Sequence, residues 1–344
     1  MTSVPLSVLD LAPVPAGGSS RQALADTVAL AQRVEQLGYA RFWVAEHHGM
    51  PGVASSAPAV LIGAVAAATE RIRVGSGGVM LPNHAPLVVA EQFGTLEALH
   101  PGRIDLGLGR APGSDPATSS ALRRGASADD FPQEVLALRS FFDGRWPEGH
   151  PWRSLQAVPA LGNGPAVWLL GSSGYSAQLA GLLGLPFSFA HHFAPQGTLA
   201  ALELYRSSFR PSEVLDAPHA MLCASVVVAD TDAEALELAI PGALSFLRLR
   251  SGRPGLLPSV EQALSYAYAP HERAFVDQRL AQQSIGAPGT VRASLDRLVA
   301  ETGVDELMVT TMVHDPADRL RSFALLGELA GLVSPERIEE PVAG

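Results

Sequence analysis

Residues 72–109 read IRVGSGGVMLPNHAPLVVAEQFGTLEALHPGRIDLGLG. Two short apolar runs, Ile72–Met80 and Arg103–Gly109, are set off by Gly and Pro, as strands are. The stretch between them, Pro86–Leu99, has helical spacing. It opens on proline, which is tolerated at a first helical position because its missing N–H would have no partner there. The segment is a strand–helix–strand unit. Its first strand is interrupted by Gly75, Gly77 and Gly78, and glycine inside a strand marks a bulge or a close backbone approach.

The unit repeats in both directions. Upstream, VPLSVLDLAP (4–13) is a strand. Arg21–Leu37 is a helix with Leu24, Val28, Ala31 and Val34 on one face, ending at Gly38. Tyr39–Glu46 is the next strand and Ala57–Thr69 the next helix. Downstream come helix Phe131–Phe142 and an irregular stretch, Arg145–Pro159, that contains Trp and Pro. Strands follow at Ala166–Leu170, Phe187–His191, Ala220–Val228 and Glu306–Val313. Helices follow at Tyr175–Leu183, Gln196–Ser208, Asp232–Leu249, Thr290–Thr302 and Pro316–Leu332. Several strands are unbroken apolar runs, as expected when both faces are buried. Eight strands, most followed by a helix, predict an α/β chain folded as a (β/α)₈ TIM barrel with loop insertions. We expect one domain over 1–344, with an insertion at 250–285, where Gly, Pro and Ser are dense. A doubly wound open sheet is the alternative. The absence of GxGxxG after the first strand weakens its dinucleotide-binding form.

Composition narrows the function classes. The chain of 344 residues is 47% hydrophobic and 17% charged, which excludes a disordered protein. Its net charge of −10, without a basic cluster, argues against nucleic acid as the partner. One cysteine, Cys223, allows no internal disulfide and no cysteine-based metal site. No signal peptide and no membrane span of about twenty apolar residues are evident. A soluble, cytoplasmic protein is expected.

In a barrel the chemistry gathers where strands end. FWVAEHHGM (42–50) ends its strand on Glu46, His47 and His48. If the strand persists through them, the two histidines face opposite ways. Adjacent strand residues are poor joint ligands and no HExxH occurs, so no metal is expected; a structural His–Glu pair is the plainer reading. Arg110 leaves the end of the fourth strand, and its fork of donors suits a phosphate. An ion pair with Asp115 would explain it as well. GSSGYS (171–176) follows the fifth strand and opens a helix. Its Gly and Ser residues leave backbone N–H groups free to meet an anion, or form a plain Ser cap. Gly77–Gly78 would let a flat ring lie on the backbone, or would relieve crowding inside the barrel. Asp10, Phe189, His191, His192 and Phe193 are expected to form the substrate pocket wall.

Four segments in order resemble the luciferase-like flavin monooxygenase family, which includes bacterial luciferase. They are FWVAEHHG (42–49), VGSGGVMLPNHAPLVVAEQFGTLEALHPGRIDLGLGRAPG (74–113), VWLLGSSGYSAQLAGLLGLPF (167–187) and DELMVTTMVHDPADRLRSF (305–323). The likeness runs from about Leu6 to Leu332 and is closer to the uncharacterised and biosynthetic oxidoreductase branch than to the light-emitting enzyme. The resemblance implies a barrel that binds reduced FMN, uses O₂ to oxidise a small organic substrate, and receives FMNH₂ from a separate NAD(P)H:flavin reductase. It implies that His47 stands beside the flavin as the acid/base, with Glu46 and His48 as structural support. It matches Gly77–Gly78 to a cis peptide under the ring, and Arg110, Ser172, Ser173 and Ser176, within a turn that includes Gly174 and Tyr175, to the phosphate site. It implies a homodimer formed through the helices after strands two and three. Bacterial luciferase has glutamate where this chain has Ser172 and cysteine where it has Gly109, so its thiol chemistry, its light emission and its long-chain aldehyde do not carry over. A deazaflavin-dependent dehydrogenase of the same fold and a non-catalytic flavin-binding partner subunit are the rival readings.

Overall fold

The computed structural model describes residues 4–111, 116–122 and 128–332. In chain order the elements are β1 (Leu6–Asp10), α1 (Ser20–Gln36), β2 (Arg41–Val44), α2 (Pro58–Ala68), β3 (Arg73–Met80), α3 (Pro86–Leu99), β4 (Ile104–Gly109), α4 (Pro116–Leu122), α5 (Phe131–Asp143) and β5 (Ala166–Gly171). There follow α6 (Gly174–Leu183), β6 (Phe187–Phe189), α7 (Thr198–Ser208), β7 (Ala220–Val228), α8 (Asp232–Arg250), α9 (Val260–Leu264), α10 (Pro270–Ala281), β8 (Ser284–Gly286), α11 (Pro288–Thr302), β9 (Glu306–Thr310) and α12 (Pro316–Ala330). Strands β1 to β7 pair in sequence, β7 pairs with β9 and β9 with β1, all parallel, which closes an eight-stranded barrel ringed by helices. The short β8 lies outside this ring, paired to the far end of β7 through Val226 and Ser284.

Alternation along each strand divides the core in two. Val8, Phe42, Val44, Leu222 and Ala224 face the helices and join the large outer core. Leu9, Trp43, Ala45, Trp168, Met221, Cys223 and Met308 fill the barrel interior. There Trp43 and Trp168 meet edge to face at 5.4 Å. Burial pushes the Cys223 thiol far up, so it is an inert filler.

A polar layer plugs the barrel where the strands begin. Buried Asp105 accepts from Arg41 (2.8 Å), from Arg73 (2.5 Å) and from the Trp43 indole (2.9 Å). Glu306 accepts from Arg41 at 3.0 Å and from the Ser7 hydroxyl. Crowding in this layer explains two glycines. A Cβ on Gly75 would lie 2.6 Å from the Asp105 side chain, and one on Gly107 would lie 2.1 Å from the Ser76 carbonyl. Barrel packing alone therefore accounts for both.

The 250–285 insertion is more ordered than its composition predicts. A Ser259/Gln262 capping box starts α9. Val276, Phe275 and Leu280 of α10 pack on Ile240, Ala243, Leu244 and Leu247 of α8. The Gly and Pro residues punctuate helices here rather than abolish them. No helix among the described residues is long and apolar enough to cross a membrane.

Candidate active site

The strand ends build three adjoining features at one mouth. The first is at β4 and β5. Arg110 leaves β4, and its guanidinium lies 4.1 Å from the Tyr175 ring centroid at the start of α6. Ser173 caps α6 in extended backbone with no side-chain cap bond. The first-turn N–H groups of Gly174, Tyr175 and Ser176 therefore lack intrahelical partners. Ser172, Ser173 and Tyr175 are exposed, while Ser176 is buried beneath them, close against Gly171. A cation and an open helix N-terminus thus face one exposed corner, a donor set that fits a phosphate. Asp115, the rival partner for Arg110, lies outside the described residues. On the neighbouring strand, Gly77–Gly78 is a cis peptide. A Cβ on Gly78 would lie 2.7 Å from the Gly107 carbonyl, so only glycine keeps β3 and β4 this close.

The second feature is a carboxylate clamp. Glu46 is fully buried. Its Oε1 accepts from His48 Nε2 at 2.8 Å and from His84 Nε2 at 2.7 Å, and its Oε2 accepts from the Met80 N–H at 3.0 Å. Burial opposes ionisation of this carboxyl. The bonds from His84, His48 and Met80 outweigh that and hold it below the usual carboxylate range. The donor atoms of Glu46, His48 and His84 all lie within 4.8 Å of one another. The Nε2···Oε1 distances are those of hydrogen bonds, so both imidazoles are held by the carboxylate itself. The clamp ties the end of β2 to the end of β3. Sequence reading missed His84; its signal was its place in LPNHAP, immediately beyond a strand end.

The third feature is an apolar cavity of about 160 Å³ above β1, β2, β6, β7 and β9, roofed by α8 and α10. His47, His192, Phe193, Phe246, Arg279 and Met312 are on its wall. Strand β2 ends at Val44, earlier than expected, because the chain turns to meet residues 53–55: the His47 N–H donates to Ser55 and the Ser55 hydroxyl to Ala45. His47 nevertheless keeps the inward parity of Trp43 and Ala45 and reaches the cavity, while His48 joins Glu46. The His192 imidazole is pushed down to about 4, first by burial; the Cys223 carbonyl opposes this, and Arg279, His191 and His47 add to it. It is neutral at neutral pH.

Three expected wall residues sit elsewhere. Asp10 shares the helix-facing parity of Val8. It is fully buried, accepting from the Ala12 N–H at 2.9 Å and from Arg319 of α12 at 2.5 Å. It holds the turn after β1, where Ala12 has φ 48°. Phe189 also faces outward, into the helix-side core beside Phe187. His191 turns to the Thr198 hydroxyl at 2.7 Å. Of the five residues expected there, His192 and Phe193 line the cavity.

The luciferase-like monooxygenase family model matches residues 4–306. The chain belongs to this family. It is 50% identical over 325 residues to protein YvbT of Bacillus subtilis (strain 168), covering 94% of this chain and 96% of that one. It is 49% identical to a luciferase-like monooxygenase of Escherichia coli (strain K12), with the same coverage. An N-acetyl-S-alkylcysteine monooxygenase of Bacillus subtilis (strain 168) is 34% identical, over 94% of this chain and 97% of the relative. The crystal structure of apo-MsnO8 superposes with a TM-score of 0.87 at 40% identity, covering 96% of this chain and 99% of that one. Two more distant structures share the fold. They are the FMN-bound oxygenating constituent of 3,6-diketocamphane monooxygenase (TM-score 0.71, 20% identity; 96% and 98% coverage) and an F420-dependent secondary alcohol dehydrogenase (TM-score 0.68, 14% identity; 96% and 99% coverage). As a member of the luciferase-like monooxygenase family, the chain is an enzyme.

Proposed function

We propose that this enzyme uses reduced FMN and O₂ to oxidise a small, largely apolar organic molecule, with FMNH₂ delivered by a separate NAD(P)H:flavin reductase. The observation that carries this reading is the β4–β5 corner, where Arg110 faces the open N-terminus of α6 beside an apolar cavity. Arg110 and the 172–176 turn would hold the phosphate, and Gly77–Gly78 would lie under the ring. When bound, reduced flavin supplies the electrons that let one atom of O₂ enter the substrate and the other leave as water.

The chain's own residues do the rest. His47 holds or gives a proton at an imidazole nitrogen on the cavity wall. Glu46 fixes His48 and His84, and through Met80 it fixes the backbone beyond Gly77–Gly78. The apolar wall excludes water from the reacting atoms. We take the cytoplasm, where NAD(P)H is held, as the compartment.

The test pairs oxygen consumption with binding. Protein mixed with FMNH₂ and air should consume O₂ with turnover of an accepted substrate, and reduced deazaflavin should not replace FMNH₂. Hydride transfer from reduced deazaflavin without O₂ would make it a dehydrogenase. Binding of FMN without turnover on any substrate, together with retained binding to a catalytic homologue, would make it a partner subunit.

A further inference from the structure

Arg279 lies on α10, inside the insertion, at the seam between the cavity and a shallower groove beside Phe275 and Gln278. Its guanidinium stands 4.1 Å over the Phe246 ring. Among the described residues it makes no hydrogen bond and no ion pair. Its Nε is buried without a partner, and so are the Ser245 and Thr310 hydroxyls. All three residues line the same cavity, whose wall contains no Asp or Glu among the described residues. Burial pushes the Arg279 guanidinium down to about 10, which still leaves it charged at neutral pH.

This arrangement is expensive for a protein. Buried charges are usually paired, and unpaired buried donors carry the full cost of lost hydration. The chain as a whole carries −10, so its general field repels anions. This cavity is the opposite: one fixed cation, no acid, and histidine His192 held neutral. A single guanidinium fork matches one carboxylate in two parallel hydrogen bonds. A dianionic phosphate would call for more positive charge than this wall has.

We propose that Arg279 receives the carboxylate of the substrate, and that this enzyme acts on organic acids with an apolar body. The apolar wall houses the body, and Ser245 and Thr310 offer hydroxyls to its other polar atoms. The proposal rests on reading this cavity as the substrate site of a flavin monooxygenase.

Octanoate and octanamide are matched probes that differ in charge. Titration calorimetry on the full, flavin-free chain at pH 7.5 should show octanoate binding about tenfold or more tighter than octanamide, as expected for a charge-assisted pair. Arg279→Met should lower octanoate affinity roughly 10–100-fold and move octanamide less than about threefold, with Arg279→Lys recovering part of the loss. Arg279→Met should melt no lower than the parent, since it removes a half-buried cation that has no ion-pair partner among the described residues. If it melts well below, Arg279→Gln, which keeps length and polarity, carries the same comparison. Equal affinity for the two probes in the parent protein, or equal loss of both in the variant, overturns the proposal. So does a variant that keeps octanoate selectivity while losing FMN, because Arg279 then serves the flavin. FMN binding and FMNH₂-dependent O₂ consumption by the parent are measured separately, so failure of the flavin reading shows there and not in the probe ratio.

Discussion

Arg110 and Tyr175 meet cation to ring across two different strand ends, and that contact presents the guanidinium to the α6 N-terminus. If the phosphate of FMN sits there, Arg110→Ala should weaken FMN binding by roughly 1.5–3 kcal/mol, the range for hydrogen bonds to charged groups. Riboflavin has no phosphate and should bind parent and variant alike. Fluorescence titration of both ligands checks this, and equal losses would remove Arg110 from the phosphate site. His47 differs in kind, because it faces the cavity and not the Arg110 corner. His47→Ala should lower turnover about 10²–10⁴-fold, the usual contribution of a positioned acid or base. FMN affinity should stay within a few-fold. A His47→Ala enzyme with normal turnover would move the proton chemistry to another group. The strand-end places of both residues were legible in the sequence, since polar groups that end apolar strands gather at a barrel mouth. Arg279 was not. An arginine in a helix reads as surface, and only the docking of α10 on α8 turns it inward. Asp10 and Phe189 were misplaced because strand-end position was used without parity: Val8 and Phe187 already mark their faces as helix-side.

At the scale of elements, the barrel strands were legible because parallel strands buried on both faces are continuous apolar runs. Their ends overshoot because the sequence pattern continues past the last ladder bond, the Ala45 N–H to the Asp10 carbonyl, as at Glu46. Helix α10 was hidden by the Gly and Pro that flank it. The ends of β2 and β3 are joined by Glu46, and removing one partner from a buried ionic cluster is strongly destabilising. Glu46→Ala should therefore cost on the order of 3–5 kcal/mol in urea denaturation, more than His48→Ala alone. A variant as stable as the parent would show that the clamp is dispensable. The loop after β6 adds a pH dependence through His192. Its folded value of about 4 lies below the ordinary imidazole value. As pH falls, the unfolded chain therefore takes up this proton first. The stability contribution is full above about 6.5 and is lost progressively toward 4, by on the order of 2–3 kcal/mol. Glu46 and Glu306, both held low, begin to lose theirs within the ordinary carboxylate range and complete the loss below it. His192→Gln should flatten the stability profile between pH 6.5 and 4; an unchanged slope there would assign it to other groups.

At the scale of the molecule, a surface beside the barrel remains apolar. Helix α2 has no charged residue, and its Val60 is 75% exposed. On α3, Val88 and Leu99 are 47% and 67% exposed. The two helices are adjacent in the ring and follow the strands that carry the clamp and the cis peptide. Single exposed apolar residues need no explanation, but several on neighbouring helices mark an interaction surface. We infer that α2 and α3 pair with the same helices of a second copy about a twofold axis, the commonest symmetry of soluble oligomers. The exposed Ala64 and Ala67 keep parts of α2 small enough for close helix approach. Light scattering behind a sizing column should give twice 36.0 kDa at micromolar concentration. Val60→Asp with Val88→Asp buries like charges at the interface of both copies and should yield a folded monomer, with the far-UV circular dichroism unchanged. A monomeric parent at those concentrations would remove the pairing altogether, and a dimer untouched by both aspartates would place the subunit contact elsewhere on the barrel.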